Sequence, residues 1–272
     1  MDYVFTRDFL DNNRINLQHY LWIELFGYHI HPTIPTNSPT LRIADIGTGT
    51  TVWLTDQARR LPSTVLLEGL DISFDASPPQ ELLPPNVTLR EYNILADVPP
   101  DLQGLYDIVH IRNFSFVLMD DQIEKVIRNL YQLLKPGGYI QWGEPDVSSF
   151  RIEKSNPGNK VDAFTELIRI SQAQDARLRP TWVPRLPAYF EDIGMEGVEA
   201  DVKDPPPHLA LAKHECSLII HELISRKTQN TAVGEELKWI IPEVARETQQ
   251  GSYWAFTRWS VIGRKPLPAN GL

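Results

Sequence analysis

The chain has 272 residues, of which 42% are hydrophobic and 22% charged, enough to bury a full core in one large domain or two modest ones. Its 26 basic and 35 acidic residues leave a net charge of −9, and without a Lys/Arg run it is a poor match for a nucleic-acid backbone. One cysteine, Cys216, excludes an internal disulfide framework and a cysteine-rich metal site. No apolar run approaches a membrane span and the N-terminus lacks a secretory pattern, so a reducing, cytoplasmic setting is expected.

Residues 1–30 read as helical and aromatic-rich. Asp11 is placed to N-cap, with Leu10 and Ile15 closing a hydrophobic staple. The polar set Arg14, Asn16, Gln18 and His19 is either a solvated face or a surface that closes over a ligand and offers it Gln18 or His19. Residues 31–40, rich in Pro, Thr and Ser, form a linker. Strands are then predicted at 41–46, 64–72, 87–92, 106–111 and 139–144. A first helix is predicted at 50–61. A second begins near 121, where Asp121 and Glu124 make a capping box and Ile123, Val126, Ile127, Leu130, Leu133 and Leu134 repeat at helical spacing. Strands alternating with helices predict an α/β fold, a parallel sheet with helices on both faces. Beyond Glu144 the pattern becomes a polar loop (146–156), a helix at about 160–178, a short helix at 188–193 and a strand at 197–202. Helices at 210–225 and 231–249 follow, the second kinked or restarted at Pro242, and a last strand runs over 253–263. The helical pair between the last two strands is long for a loop and reads as a lid.

The chemistry centres on the turn Asp45-Ile-Gly-Thr-Gly-Thr-Thr51, between the first strand and its helix. Its glycines let backbone approach a ligand, and helix N–H groups point towards it. A dinucleotide fingerprint needs a third glycine where Val52 stands, and no phosphate-loop pattern is present. A carboxylate two residues before the first glycine suits a ligand with an ammonium group, or braces the loop's own N–H groups.

With Gly69-Leu-Asp-Ile-Ser73, Tyr106-Asp-Ile-Val-His-Ile-Arg-Asn113, Leu134-Lys-Pro-Gly-Gly-Tyr139, Gln141-Trp-Gly-Glu-Pro-Asp146 and Asn13-Arg-Ile-Asn-Leu-Gln-His19, this turn resembles the class I S-adenosylmethionine-dependent methyltransferases. More narrowly, it is similar to the UMTA-type small-molecule enzymes of filamentous fungi. The resemblance implies a Rossmann-like, seven-stranded, mostly parallel sheet whose last strand is antiparallel. It also implies an N-terminal cap (1–40) on a methyltransferase domain (41–272), with lid insertions at about 150–190 and 207–250. The implied cofactor is S-adenosyl-L-methionine, held by Asp45, Gly47, Thr48, Gly49, Asp71, Ile72, Asn93, Ile94 and His110. Asp45 would lie near the cofactor's amino group, Asp71 would take both ribose hydroxyls, Asn93 would face adenine and Ile94 would stack on it. Thr51 stands where the family usually has a third glycine, so its backbone must avoid strained dihedrals.

His110, Glu144 and His19 are the candidate catalytic residues, and the resemblance implies O-methylation of a polyketide-like or aromatic secondary metabolite. No metal site is expected. His214 and His221, on one helix face, are expected to pack or to touch a rim, and Trp142, Trp182, Tyr189 and Trp254 to be core or pocket lining. Two alternatives remain open: a non-methylating transformation with the same cofactor, and a non-catalytic regulator of the same fold. Oligomeric state is not readable from the residues.

Overall fold

A computed structural model describes residues 8–173 and 176–268. The first helix, α1 (Phe9–Phe26), starts at Asp8, whose carboxylate accepts from the N–H groups of Leu10 at 2.9 Å and Asp11 at 3.1 Å. The expected cap, Asp11, therefore lies inside the first turn and pairs with Arg14 at 2.6 Å. Gly27 ends the helix in the left-handed conformation. The part of the helical expectation that falls on residues 1–7 lies outside the described residues.

Seven strands form one sheet in the order β3-β2-β1-β4-β5-β9-β7. They are β1 (Arg42–Ile46), β2 (Leu66–Asp71), β3 (Val87–Glu91), β4 (Tyr106–Arg112), β5 (Leu134–Pro145), β7 (Glu196–Lys203) and β9 (Arg258–Arg264). β3, β2, β1, β4 and β5 pair in parallel, and β9 runs antiparallel to both β5 and β7. The expected α/β sheet, with its last strand reversed, is the observed one. Strand order reverses between β1 and β4, which opens a crevice at their carboxyl ends. β1 is apolar and buried over most of its length, as a central parallel strand must be.

Helix α2 (Val52–Ala58) follows β1, and α3 (Ile123–Leu133) leads into β5. The start of α3 is closed by the Gln122 side chain, which accepts from the Met119 N–H at 3.0 Å, rather than by Asp121 and Glu124. Residues 146–156 are not a plain loop, because β6 (Arg151–Lys154) pairs antiparallel with β8 (Ser252–Ala255). The expected final strand is thus two, β8 and β9, on different sheets. Helix α7 (Thr231–Gln249) continues through Pro242 without restarting.

Helices α4 (Asp162–Gln172), α6 (Pro207–Lys227) and α7, with β8, bury a core of their own around Phe164, Leu167, Leu223, Leu237, Val244 and Trp254. α5 (Leu186–Asp192) packs on β7 and β9, and α1 packs on α6. His214 fills this second core, stacked on Phe164 and edge-on to Trp254. Among the described residues, no helix is long and apolar enough to cross a membrane.

Candidate functional site

The turn after β1 holds Gly47 at φ 66° and Gly49 at φ 54°, positions that favour glycine. A Cβ on Gly47 would fall 2.5 Å from the Phe114 ring. At the end of β2, Asp71 braces the turn: one carboxylate oxygen accepts from the Gly49 N–H at 3.0 Å and the other from the Ile72 N–H at 2.7 Å. The Ser73 N–H also donates to the oxygen that takes Ile72, at 3.4 Å.

Thr51 departs from expectation, because it is buried and adopts φ 59°, ψ 11°. This is an outlier for a β-branched residue, held by the fold around it. Its hydroxyl donates to the Thr50 carbonyl at 2.6 Å. Thr51→Gly is expected to be more stable than Thr51→Ala by about 1 kcal/mol, since only glycine relieves the left-handed strain. Thermal melts check this, and an alanine variant as stable as the glycine one would contradict it.

At the end of β4, His110 stacks flat on Trp53, with ring centroids 3.9 Å apart. Its Nδ1 lies 2.7 Å from Asp45 Oδ1, so Nδ1 carries the proton and Nε2 is left as a lone pair. Burial lowers the His110 pKa, against the opposing pull of Asp45, and the ring is neutral at pH 7.

These elements enclose a cavity of about 190 Å³. It is lined by all nine expected ligand-holding residues: Asp45, Gly47, Thr48, Gly49, Asp71, Ile72, Asn93, Ile94 and His110. Sequence reasoning gave no role there to Asp11, Arg14, Tyr92, Arg112, Asn113 or Phe114, which also line it. Arg14, Arg112 and Asn113 do stand inside the motifs singled out above. Four buried polar atoms on lining residues have no partner among the described residues: Asp11 Oδ2, Thr48 Oγ1, Trp53 Nε1 and Tyr92 Oη. A smaller, aromatic-rich hollow of about 70 Å³ adjoins the cavity and shares Gln18, Phe116, Pro145 and Ile220 with it.

The structure places two expected catalytic residues elsewhere. Glu144 is fully buried and does not line the cavity. Its carboxylate accepts from the Phe114 N–H at 2.6 Å, the Ser115 N–H at 3.0 Å, the Ser115 hydroxyl at 2.8 Å and the Trp142 indole at 2.6 Å. Such a group ties β5 to the loop after β4 and has no path to an acceptor. Burial pushes its pKa up to about 7, against these donors.

His19 also lies off the cavity. Its Nδ1 accepts from Arg112 at 2.9 Å, which leaves Nε2–H to donate to Asp56 at 3.1 Å. His19, His29 and Asp56 bring three potential metal-ligand atoms within 4.8 Å of one another, an arrangement the sequence did not suggest. The Arg112 bond fixes the wrong tautomer for a metal at Nε2, and Arg59 and Arg60 already pair with Asp56. Gln18 does reach the cavity, where it donates to Asn113 at 3.1 Å.

Buried histidines give the fold a pH dependence. Burial holds His19 and His221 down to about 4 and His214 to about 3, against an ordinary value of 6.5. The unfolded chain therefore binds more protons between pH 6.5 and 4, and stability falls as pH drops through that window. Glu144, raised to about 7, works in the opposite sense between about 4.5 and 7, one group against three. Lys213, held down to about 6 from 10.5 by burial, extends the same sign above pH 6.5, so Tm is expected to keep climbing from pH 6.5 towards 8 and to be roughly 5 °C or more lower at pH 5 than at pH 7. A Tm that rises on acidification would contradict this.

A family model for the methyltransferase domain matches residues 43–138. Methyltransferase grgD of Penicillium sp is 35% identical over 163 residues, covering 57% of this chain and 56% of that protein. N-methyltransferase tcpN of Claviceps purpurea is 30% identical over 203 residues, covering 71% of this chain and 68% of that protein. The chain thus spans little more than half the length of grgD and about two thirds of tcpN. Among solved structures, phosphoethanolamine N-methyltransferase 2 of Haemonchus contortus in complex with S-adenosyl-L-methionine shares the fold. Its TM-score is 0.52 at 16% identity, covering 96% of this chain and 60% of that one.

Proposed function

Because the chain belongs to the class I S-adenosylmethionine-dependent methyltransferases, we propose that it transfers the cofactor's methyl group to a small molecule seated in the adjoining hollow. The observation that carries this reading is the convergence, on one cavity, of the glycine turn, Asp45, Asp71 and His110.

The residues present fit the cofactor. Asp71 lines the cavity at the end of β2, where a carboxylate suits a vicinal diol. Asp45 Oδ1 takes His110, which leaves Oδ2 for an ammonium group. Tyr92 and Asn93 close the end of the cavity beyond β3, where a base would lie. When bound, S-adenosylmethionine supplies an electrophilic methyl group on a sulfonium that is already a good leaving group.

The chain's own part is alignment and exclusion of water, which can remove roughly 7–11 kcal/mol of barrier. His110 is the base of this reading, held by Asp45 with Nε2 unprotonated to take a proton from the acceptor. Helices α6 and α7 serve as the lid, and residues 8–40 as the cap, on one methyltransferase domain. The hollow's aromatic lining supports an apolar, ring-bearing acceptor of the secondary-metabolite type. The resemblance pointed to oxygen. The name of tcpN, an N-methyltransferase, makes a nitrogen acceptor the first to test and a hydroxyl the second.

Incubating candidate amines and phenols with enzyme and methyl-deuterated cofactor, followed by mass spectrometry, is expected to show a gain of one labelled methyl. A rearranged or dehydrated product with the cofactor unconsumed would overturn methyl transfer.

A further inference from the structure

The hollow beside the cofactor cavity holds a charge that its apolar walls leave unexplained. Arg258 opens β9 and pairs across the sheet with Pro145, so it sits at the carboxyl end of β5. Its side chain is 7% exposed and lines the hollow with Phe116, Phe150, Trp254 and Phe256. One guanidinium N–H donates to the Phe256 carbonyl at 2.9 Å. A guanidinium has five such donors, and among the described residues no carboxylate pairs with this one. Asp204, whose charge reaches Arg258, is held by Arg151 at 3.1 Å and by Thr257 at 2.8 Å.

A second buried basic group lies near it. Lys213 on α6 is 5% exposed and pairs with no acid among the described residues. Burial first, and then the positive charge of Arg258, push its amine down to about 6. A buried guanidinium without a counter-ion is expensive to keep unless something anionic completes it.

We infer that Arg258 grips a carboxylate on the acceptor substrate, whose apolar body packs among Phe116, Phe150, Trp254 and Phe256. This rests on the methyl-transfer reading above, which makes the hollow the acceptor's seat. The planar fork of a single guanidinium matches a carboxylate in bidentate fashion. A phosphate dianion would call for more charge than one arginine beside a largely neutral lysine. Gln18, Phe116, Pro145 and Ile220 wall both spaces, so a molecule anchored at Arg258 extends towards the methyl donor.

Calorimetry on the full chain saturated with S-adenosylhomocysteine tests this, using phenylacetate and indole-3-acetate against their neutral amides. The acids are expected to bind roughly ten-fold tighter or more than the amides. Arg258→Gln should erase that preference while S-adenosylhomocysteine still binds, and Arg258→Lys should keep part of it. Equal binding of acid and amide overturns the inference, as does no binding of either, or an acid preference that survives in Arg258→Gln. Should the glutamine variant not fold, the wild-type comparison and the lysine variant decide alone. Failure of S-adenosylhomocysteine itself to bind would strike the cofactor reading, and the same comparison run without it still scores Arg258.

Discussion

Asp71→Ala is expected to raise the dissociation constant for S-adenosylhomocysteine by roughly a hundred-fold, since two hydrogen bonds to a charged group are lost together. The carboxylate has two duties at the end of β2: it would hold the ribose diol, and it braces the N–H groups of Gly49 and Ile72. Removing it loosens the turn that forms the cavity floor as well as the ligand contact. Asp71→Asn keeps one acceptor oxygen and should fall between wild type and alanine. Calorimetric titration of the three proteins makes the comparison. An alanine variant that binds as tightly as wild type would remove the ribose assignment.

Glu144→Ala is expected to cost about 3–5 kcal/mol of stability, because it leaves buried donors without their acceptor. Those donors are the N–H groups of Phe114 and Ser115, the Ser115 hydroxyl and the Trp142 indole. The effect should also reach the cofactor site, since Phe114 covers the turn at Gly47. Urea denaturation separates this positioning role from a catalytic one. A catalytic base would leave the midpoint near wild type and lower only kcat. A positioning residue moves the midpoint and weakens S-adenosylhomocysteine binding together.

The parts of the site that could be read from the residues are local ones. Gly47 and Gly49 announce themselves through spacing on a strand–turn–helix unit, Asp71 is implied by the family resemblance, and the structure puts all three on one cavity. Helix α3 was legible because its apolar period is unbroken. Burial and long-range pairing were not legible. Glu144 looked like a strand-end acid available for chemistry, and only the fold shows the Phe114–Ser115 loop folded over it. His19 was correctly placed on α1 but points at Asp56 and Arg112, a choice fixed by packing between elements far apart in the chain.

The β6–β8 ribbon escaped notice because each strand has four residues and exists only through its partner, about a hundred positions away. The cap at Asp8 was displaced to Asp11 because both residues satisfy the same local rule. Arg258 carried no signal at all, since an arginine within a predicted strand is ordinary until its burial is known.

The central claim is that the cavity at the ends of β1 and β4 is an S-adenosylmethionine site. Thermal unfolding of the full chain with S-adenosylhomocysteine, and separately with NADH, tests it most directly. At a hundred times its dissociation constant the sulfur nucleotide should add about 2.7 kcal/mol, raising Tm by roughly 5–10 °C, with no shift from NADH. No shift with S-adenosylhomocysteine, or an equal shift with NADH, would contradict the account.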